Sequence, residues 1–193
     1  MRSRQSGRAS APLLAWGEQL RARKAARKRR ARRAVVGALG CATLLAMAAF
    51  PPEPRLVWNA SASAPIGLYL VSPGATVSIG DMVIARLPAP YRRLAAMRHY
   101  LPANVPLIKR VAAAAGDEVC ALGQDIFVNG RWITERRIAD AAGRPMPLWS
   151  GCVRLRGRQL FLLMDAPASF DGRYFGVTQG TDIVGKAQLL WPR

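Results

Sequence analysis

Histidine is nearly absent from this chain: His99 is the only one in 193 residues. It stands between Arg98 and Tyr100 in a stretch that reads as a helix, where a surface or cap position suits it better than catalysis. A Ser-His-Asp triad therefore has little to be built from. Cysteine is scarce as well, with only Cys41, Cys120 and Cys152. Two cysteines and one distant histidine do not make a four-ligand zinc site, and nothing here calls for a metal or a cofactor. Acidic residues are few: 11 Asp and Glu stand against 29 Lys and Arg, a formal net charge of +18. Such a charge first suggests a nucleic-acid binder.

The placement of the charge argues otherwise. Residues 1–33 hold twelve Lys and Arg against the single acid Glu18, a net of +11, which leaves +7 for the other 160 residues. The excess abuts the longest uncharged apolar run, the seventeen residues Ala34 to Phe50. At ~1.5 Å per residue that run is about 25 Å long, just short of a hydrocarbon core of ~30 Å. Thinning of the bilayer, or snorkelling by Arg32, Arg33 and Arg55, makes up the difference, and Trp58 suits the far interface. Pro51 and Pro52 end the helix. A buried core helix is the plain alternative, but it fits a basic neighbour poorly. A cleavable signal peptide is another, because Ala46-Met47-Ala48 reads as A-x-A, although the basic region is long for one. The favoured reading is one uncleaved anchor.

The excess of basic residues then places the N-terminus in the cytoplasm. The plan becomes a basic cytoplasmic segment 1–33, a transmembrane anchor 34–50, a linker 51–56 and an exported domain 57–193. The basic tract serves as topology signal and lipid-headgroup contact, and no specific nucleic acid is expected as partner. Cys41 falls in the span and reads as a small apolar residue. Cys120 and Cys152 fall in the exported part, where disulfides persist, and are expected to pair. Two unrelated buried thiols are the alternative.

Beyond the linker the chain reads as short strands separated by glycine turns. They are Ile66–Val71, Asp81–Leu87, Leu107–Ala113, Glu118–Leu122, Asp125–Val128, Trp132–Thr134, Val153–Leu155, Gln159–Met164 and Ile183–Leu190. Asn129-Gly130 between apolar alternations predicts a two-residue hairpin turn. One soluble helix is expected over Tyr91–Tyr100. The fold class is mainly β, an antiparallel domain preceded by one transmembrane helix.

A hydrolase without a usable histidine needs another base, and a lysine held neutral by its surroundings is the common substitute. Lys109 lies within the apolar strand Val105 to Ala115. It either points outward in the alternation or is buried for a purpose, and alternation alone favours outward. Arg110 would then be the buried one, which is harder because arginine stays charged. Ser63 precedes a Pro and a Gly near a strand start, the usual place of a turn serine. Asp171 and Arg173 are two apart, so on a strand they would share one face as a salt bridge.

Taken in order, the segments S-x-P-x-G-L-Y, G-D-x-V, K-R-V followed by G-D-x-V, and S-x-D-G-R-Y-F-G form a specific set. Over about residues 57–193 the chain resembles the signal peptidase I superfamily, peptidase family S26, and is most similar to its TraF-type conjugative transfer branch. The resemblance implies Ser63 as nucleophile and Lys109 as general base. It implies that the hydroxyl of Ser61 joins the N–H of Ser63 in an oxyanion hole, and that Ser169 hydrogen-bonds the lysine amine. Asp171 and Arg173 match a supporting pair, and Gly80-Asp81 and Gly116-Asp117 match structural turns. Only Ala64 separates Ser63 from Pro65, and Leu163–Pro167 stands where general bacterial enzymes carry G-D-N-R-D. Both departures agree with the conjugation branch.

The resemblance thus implies a periplasmic Ser/Lys endopeptidase held in the bacterial inner membrane. Its substrates would be preproteins, above all a conjugative pilin precursor, with small residues at the first and third positions before the cut. The product would be a matured or cyclised chain. Partners would be inner-membrane lipids and components of a conjugation or type IV secretion apparatus. Three rivals remain: a non-catalytic anchored β-domain of such an apparatus, a self-cleaving repressor-like protease, and a nucleic-acid binder using the Arg-rich tail.

Overall fold

In the computed structural model, which describes residues 12–50 and 54–193, these residues fall into two units, an N-terminal one over 12–50 and a second over 54–193. The first is built on α1, Pro12–Ala49, thirty-eight residues that run through the Arg-rich tract without a break. The tract is therefore a helical extension of the apolar run. The stretch Trp16–Ala49 is long and apolar enough to cross a membrane. Val35, Val36, Leu39, Leu44, Leu45 and Met47 are all exposed along it. The Thr43 hydroxyl, a polar group within this run, donates to Leu39 O at 2.9 Å, which satisfies it inside its own helix. Residues 1–11, with Arg2, Arg4 and Arg8, and Pro51–Glu53 of the expected linker lie outside the described residues.

The second unit is two antiparallel sheets. The larger takes β1 (Leu56–Asn59), β2 (Gly67–Ser72), β3 (Met82–Ala85), β4 (Leu107–Ala113), β9 (Phe161–Leu163) and β10 (Ile183–Pro192), in the order β1-β2-β10-β3-β4-β9. The smaller takes β5 (Glu118–Leu122), β6 (Asp125–Val128), β7 (Arg131–Glu135) and β8 (Gly151–Arg154), in the order β7-β6-β5-β8. β1 begins at Leu56, the last residue of the expected linker; four residues after a Pro-rich stretch are too few to show alternation. Asn129 and Gly130 both have positive φ, 51° and 75°, as the tight turn between right-twisted strands requires.

The middle of the larger sheet is buried on both faces. Along β3, Val83 and Ala85 join one cluster with Leu107, Val111 and Leu162, while Ile84 joins another with Tyr69, Val71 and Ile108. A third cluster, including Val119, Ile126, Leu155 and Phe161, couples the two sheets. Each of the larger side chains contributes about 1.5–3 kcal/mol by leaving water. The soluble helix α2 runs Ala89–Met97, begins on a Pro-rich first turn, and stops short of His99, whose φ is 58°. Both Gly-Asp pairs act as turn locks. Asp81 accepts from Ser78 N and pairs with Lys186, and Asp117 accepts from Ala114 N and from Asn129 Nδ2.

Asp171 and Arg173 form the expected salt bridge, carried by a short helix and not by a strand. Asp171 is the N-cap of α3, Gly172–Phe175, and accepts from Arg173 N–H at 3.2 Å. A helix this short shows no periodicity in sequence. It can pack here because residue 172 is glycine: a Cβ there would sit 2.7 Å from Leu162 O and 2.8 Å from the Phe161 ring.

Cys120 and Cys152 face each other across β5 and β8 and are joined by a disulfide. The bridge ties an exposed edge strand to its neighbour and closes a 32-residue separation. By loop-closure entropy it stabilises by roughly 3–4 kcal/mol. Oxidised wild type and the Cys120→Ala/Cys152→Ala double variant are expected to differ by that amount in urea unfolding. Equal midpoints and slopes would contradict this.

Candidate active site

Ser63 sits in the loop from β1 to β2, and its position is set at both ends. At the near end Asn59 closes the strand pairing opposite Gly67. At the far end Gly67 has φ 152°, and a Cβ there would lie 2.1 Å from Trp191 O, so only glycine lets β2 start against β10 at this point. Lys109 comes from the middle of β4 and Ser169 from the loop before α3.

These elements bring three polar side chains together. Lys109 Nζ is 2.9 Å from Ser63 Oγ and 2.8 Å from Ser169 Oγ. Ser61 Oγ is 3.0 Å from Ser63 Oγ and accepts from Ser63 N–H at 3.3 Å. Lys109 is 3% exposed and Ser169 is buried, whereas Ser63 is half-buried and Ser61 exposed. The site is thus dry at the lysine and open at the serine.

Alternation favoured an outward Lys109, and the structure reverses that. β4 is an interior strand with apolar contacts on both faces, and the phase that carries Lys109 is the more deeply buried: Leu107, Lys109, Val111 and Ala113 are all buried, Arg110 and Ala112 only partly. Lys109 shares its phase with Leu107 and Val111. Arg110, in the other phase, escapes burial by reaching the sheet margin, where it pairs with the exposed Asp165 at 2.9 Å.

Burial pushes the Lys109 amine down to about 8 from 10.5; Asp171 opposes the shift and Arg173 assists it. Those two groups are themselves a buried, two-point ion pair, with Arg173 Nε to Asp171 Oδ1 at 2.9 Å and Arg173 Nη2 to Asp171 Oδ2 at 2.8 Å. Asp171 also accepts from Met164 N–H, and Arg173 donates to Met164 O and Ala166 O. Because the carboxylate is matched by its own guanidinium, it does not simply hold a proton on the lysine.

Two further residues of the surroundings lie outside the motifs that mark the site. Arg136 is buried and donates to Gly123 O and Arg173 O, tying the smaller sheet to α3. Asn59 hydrogen-bonds within the Ser63 loop; an Asn two residues before a Ser is a recognised local-turn signal that would have pointed to it. Ser63 and Lys109 open onto a cleft of about 670 Å³, walled by Val57, Ala60, Val105, Ile108 and Phe170 among others. Its walls mix apolar and aromatic side chains with the polar groups of the Ser63 loop, Arg137 and Asp140, and its size suits a short stretch of peptide. His99 is exposed and takes no part in the cluster. Glu118, Cys120 and Cys152 lie close together, but both sulfurs are used in the disulfide and are not available as thiolate ligands.

Comparison with known proteins gives this arrangement a context. The sequence matches the family model described as signal peptidase, peptidase S26, over residues 28–192. It is similar to a probable conjugal transfer protein TraF of Sinorhizobium fredii (strain NBRC 101917 / NGR234), 35% identical over 140 residues, which cover 67% of this chain and 73% of the relative. It is also similar to a plasmid transfer protein TraF of Escherichia coli, 32% identical over 155 residues, 75% of this chain and 86% of the relative. Among solved structures, a signal peptidase I from Enterococcus faecalis V583 aligns with 58% of this chain and 97% of its own, at 18% identity and a TM-score of 0.34. With the family match spanning the Ser63 loop, β4 and α3 together, the chain belongs to the signal peptidase family, peptidase S26.

Proposed function

We propose that the chain is a serine endopeptidase that cleaves leader peptides from exported preproteins through a Ser63/Lys109 dyad. The observation that carries the reading is the 2.9 Å contact between the Ser63 hydroxyl and a lysine amine closed off from water. In its neutral form Lys109 takes the Ser63 proton as Oγ attacks the scissile carbonyl. The negative charge on the former carbonyl oxygen is met by Ser63 N–H and the Ser61 hydroxyl. Lys109 then passes its proton to the leaving amine, leaving an ester on Ser63. Finally it deprotonates the water that hydrolyses this ester. Ser169 holds the amine in line through its 2.8 Å contact.

The two relatives are named for conjugal and plasmid transfer, which supports a substrate from a conjugation apparatus, a pilin precursor in our reading. The apolar helix supports anchorage in the inner membrane, with the basic end cytoplasmic and the catalytic unit periplasmic. A C-terminal reporter fusion is expected to be active only outside the cytoplasm; activity inside would reverse the topology.

Cleavage by the full chain in detergent separates the enzyme from a non-catalytic β-domain. Lys109→Arg is expected to fail as fully as Lys109→Ala, because arginine keeps its charge and does not deprotonate in a protein. A lysine serving only in a surface ion pair would tolerate Arg at a cost within about 1 kcal/mol. Ser63→Ala should abolish turnover, and the Ser63→Ala/Lys109→Ala pair should be no worse than either alone. Ser61→Ala should lose about a hundredfold as a single oxyanion donor. Near-normal cleavage by folded Lys109→Arg protein would sink the dyad.

The pH dependence has a definite sign. Protonated Lys109 is inactive, so kcat/KM should rise with pH and level off above the amine's value of about 8. A profile that is flat from pH 6 to pH 9, or that falls across it, would be incompatible with a lysine base.

A further inference from the structure

The Ser63 loop has little structure of its own, yet acyl transfer needs its backbone held to about 0.5 Å. Residues 60–66 join β1 to β2 without forming a helix or strand. Within the loop the backbone bonds itself once, Ala64 N–H to Ser61 O at 3.4 Å, near the long limit. Arg193 N–H holds Ile66 O at 3.0 Å at the far end, and most of the remaining contacts on the loop backbone come from one side chain.

Asn59 is 8% exposed and stands at the end of β1. Its Nδ2 is 3.0 Å from Ser61 O, 3.1 Å from Ala64 O and 2.9 Å from Pro65 O. Its Oδ1 accepts from Ser61 N–H at 3.0 Å. Two amide hydrogens serve three carbonyls, so at least one is shared between two acceptors. The partners fall on both sides of Ser63, two residues before it and one and two after. Tyr69 adds an outer hold by donating its hydroxyl to the same Pro65 O at 2.8 Å. The chemistry of the clamp is specific. A carboxylate would put oxygen against three carbonyl oxygens, and a longer amide would not fit the same reach. Being neutral, the carboxamide adds no charge to the cleft it shares with Lys109.

We propose that Asn59 is a positioning residue for acyl transfer: its carboxamide fixes the 61–65 backbone so that the Ser63 hydroxyl meets the Lys109 amine while Ser63 N–H and the Ser61 hydroxyl meet the oxyanion. This rests on the Ser63/Lys109 reading above. Asn59 touches neither proton donor nor acceptor of the reaction, so its loss acts through geometry. Misplacement by about 1 Å costs on the order of a hundredfold in rate. The loss falls chiefly on kcat, because the loop that Asn59 holds carries the reacting hydroxyl, while Val105, Ile108 and Phe170, walls of the same cleft, come from other parts of the fold.

The test uses the full chain in detergent micelles and an internally quenched peptide with an Ala-x-Ala cut site. Wild type and Ser63→Ala are compared with Asn59→Ala, Asn59→Asp and Asn59→Thr, with melting temperatures recorded alongside. Asn59→Ala and Asn59→Asp are expected to lose about a hundredfold in kcat with KM within about threefold. The pH midpoint of Asn59→Ala should stay at the wild-type value, unlike that of a variant disturbing the base. Asn59→Thr, whose hydroxyl can still accept from Ser61 N–H but cannot reach the later carbonyls, should fall between. Folded Asn59 variants with kcat within about threefold of wild type would overturn the proposal and leave the dyad standing. Failure of every Asn59 variant to fold would also overturn it, by assigning the residue to the fold alone. An inactive wild type, or an active Ser63→Ala, would instead remove the dyad reading and this inference with it.

Discussion

Keeping the Lys109 amine out of water is the constraint on which the β-sheet unit depends. Nothing cheap accomplishes it: a lysine in the interior loses hydration that the Ser63 and Ser169 hydroxyls replace only in part. A drop from 10.5 to about 8 corresponds to about 3 kcal/mol of preference for the neutral form. In the unfolded chain the lysine regains its ordinary affinity for protons. Between about pH 8 and 10.5 the unfolded state therefore binds more protons, and this group's contribution to stability improves as pH rises. At neutral pH the same group is a cost. The apolar clusters on both faces of the larger sheet offset it, and the chemistry benefits from what stability loses.

The Asp171–Arg173 pair fits the same constraint. An unpaired carboxylate beneath the lysine would draw a proton onto it. Matched at two points by Arg173 and capped by two backbone N–H groups, Asp171 is instead spent on structure. Arg173 in turn reaches Met164 O and Ala166 O, which fixes the chain leaving β9 on its way to Ser169. One ion pair thus sets the backbone that carries Ser169 and tempers the field at the Lys109 amine. Breaking such a buried pair by removing one partner generally costs about 3–5 kcal/mol.

Much of this was legible in the sequence, for physical reasons that differ from place to place. β4, β5 and β6 fall on their expected residues because each is an apolar run cut by Gly-Asp or Asn-Gly turns. The long helix follows from an uncharged run between a basic tract and two prolines. Ser63, Lys109, Ser61 and Ser169 stand out through their ordered motifs, and in the structure they form a chain of contacts, Ser61 to Ser63, Ser63 to Lys109 and Lys109 to Ser169. The direction of Lys109 was not legible, because a strand buried on both faces has no polar phase to read. The Asp171–Arg173 ion pair was legible from the clustering of the two charges, but not the short helix that carries it, because four residues leave no period. Arg136 stayed hidden because its partners are backbone groups whose position only the folded loops define, and at Asn59 the sequence shows the local turn to Ser61 but not the reach to Ala64 O and Pro65 O.

The most direct measurement is the titration of Lys109 itself. The chain has only four lysines, Lys24, Lys28, Lys109 and Lys186, so isotope labelling of lysine side chains gives a short spectrum. The Lys109 signal is identified as the one missing from Lys109→Met protein. Followed by NMR in the full chain in micelles, it should titrate near 8. Titration at the ordinary lysine value near 10.5 would mean a solvated, charged amine at neutral pH, and would contradict Lys109 as the base.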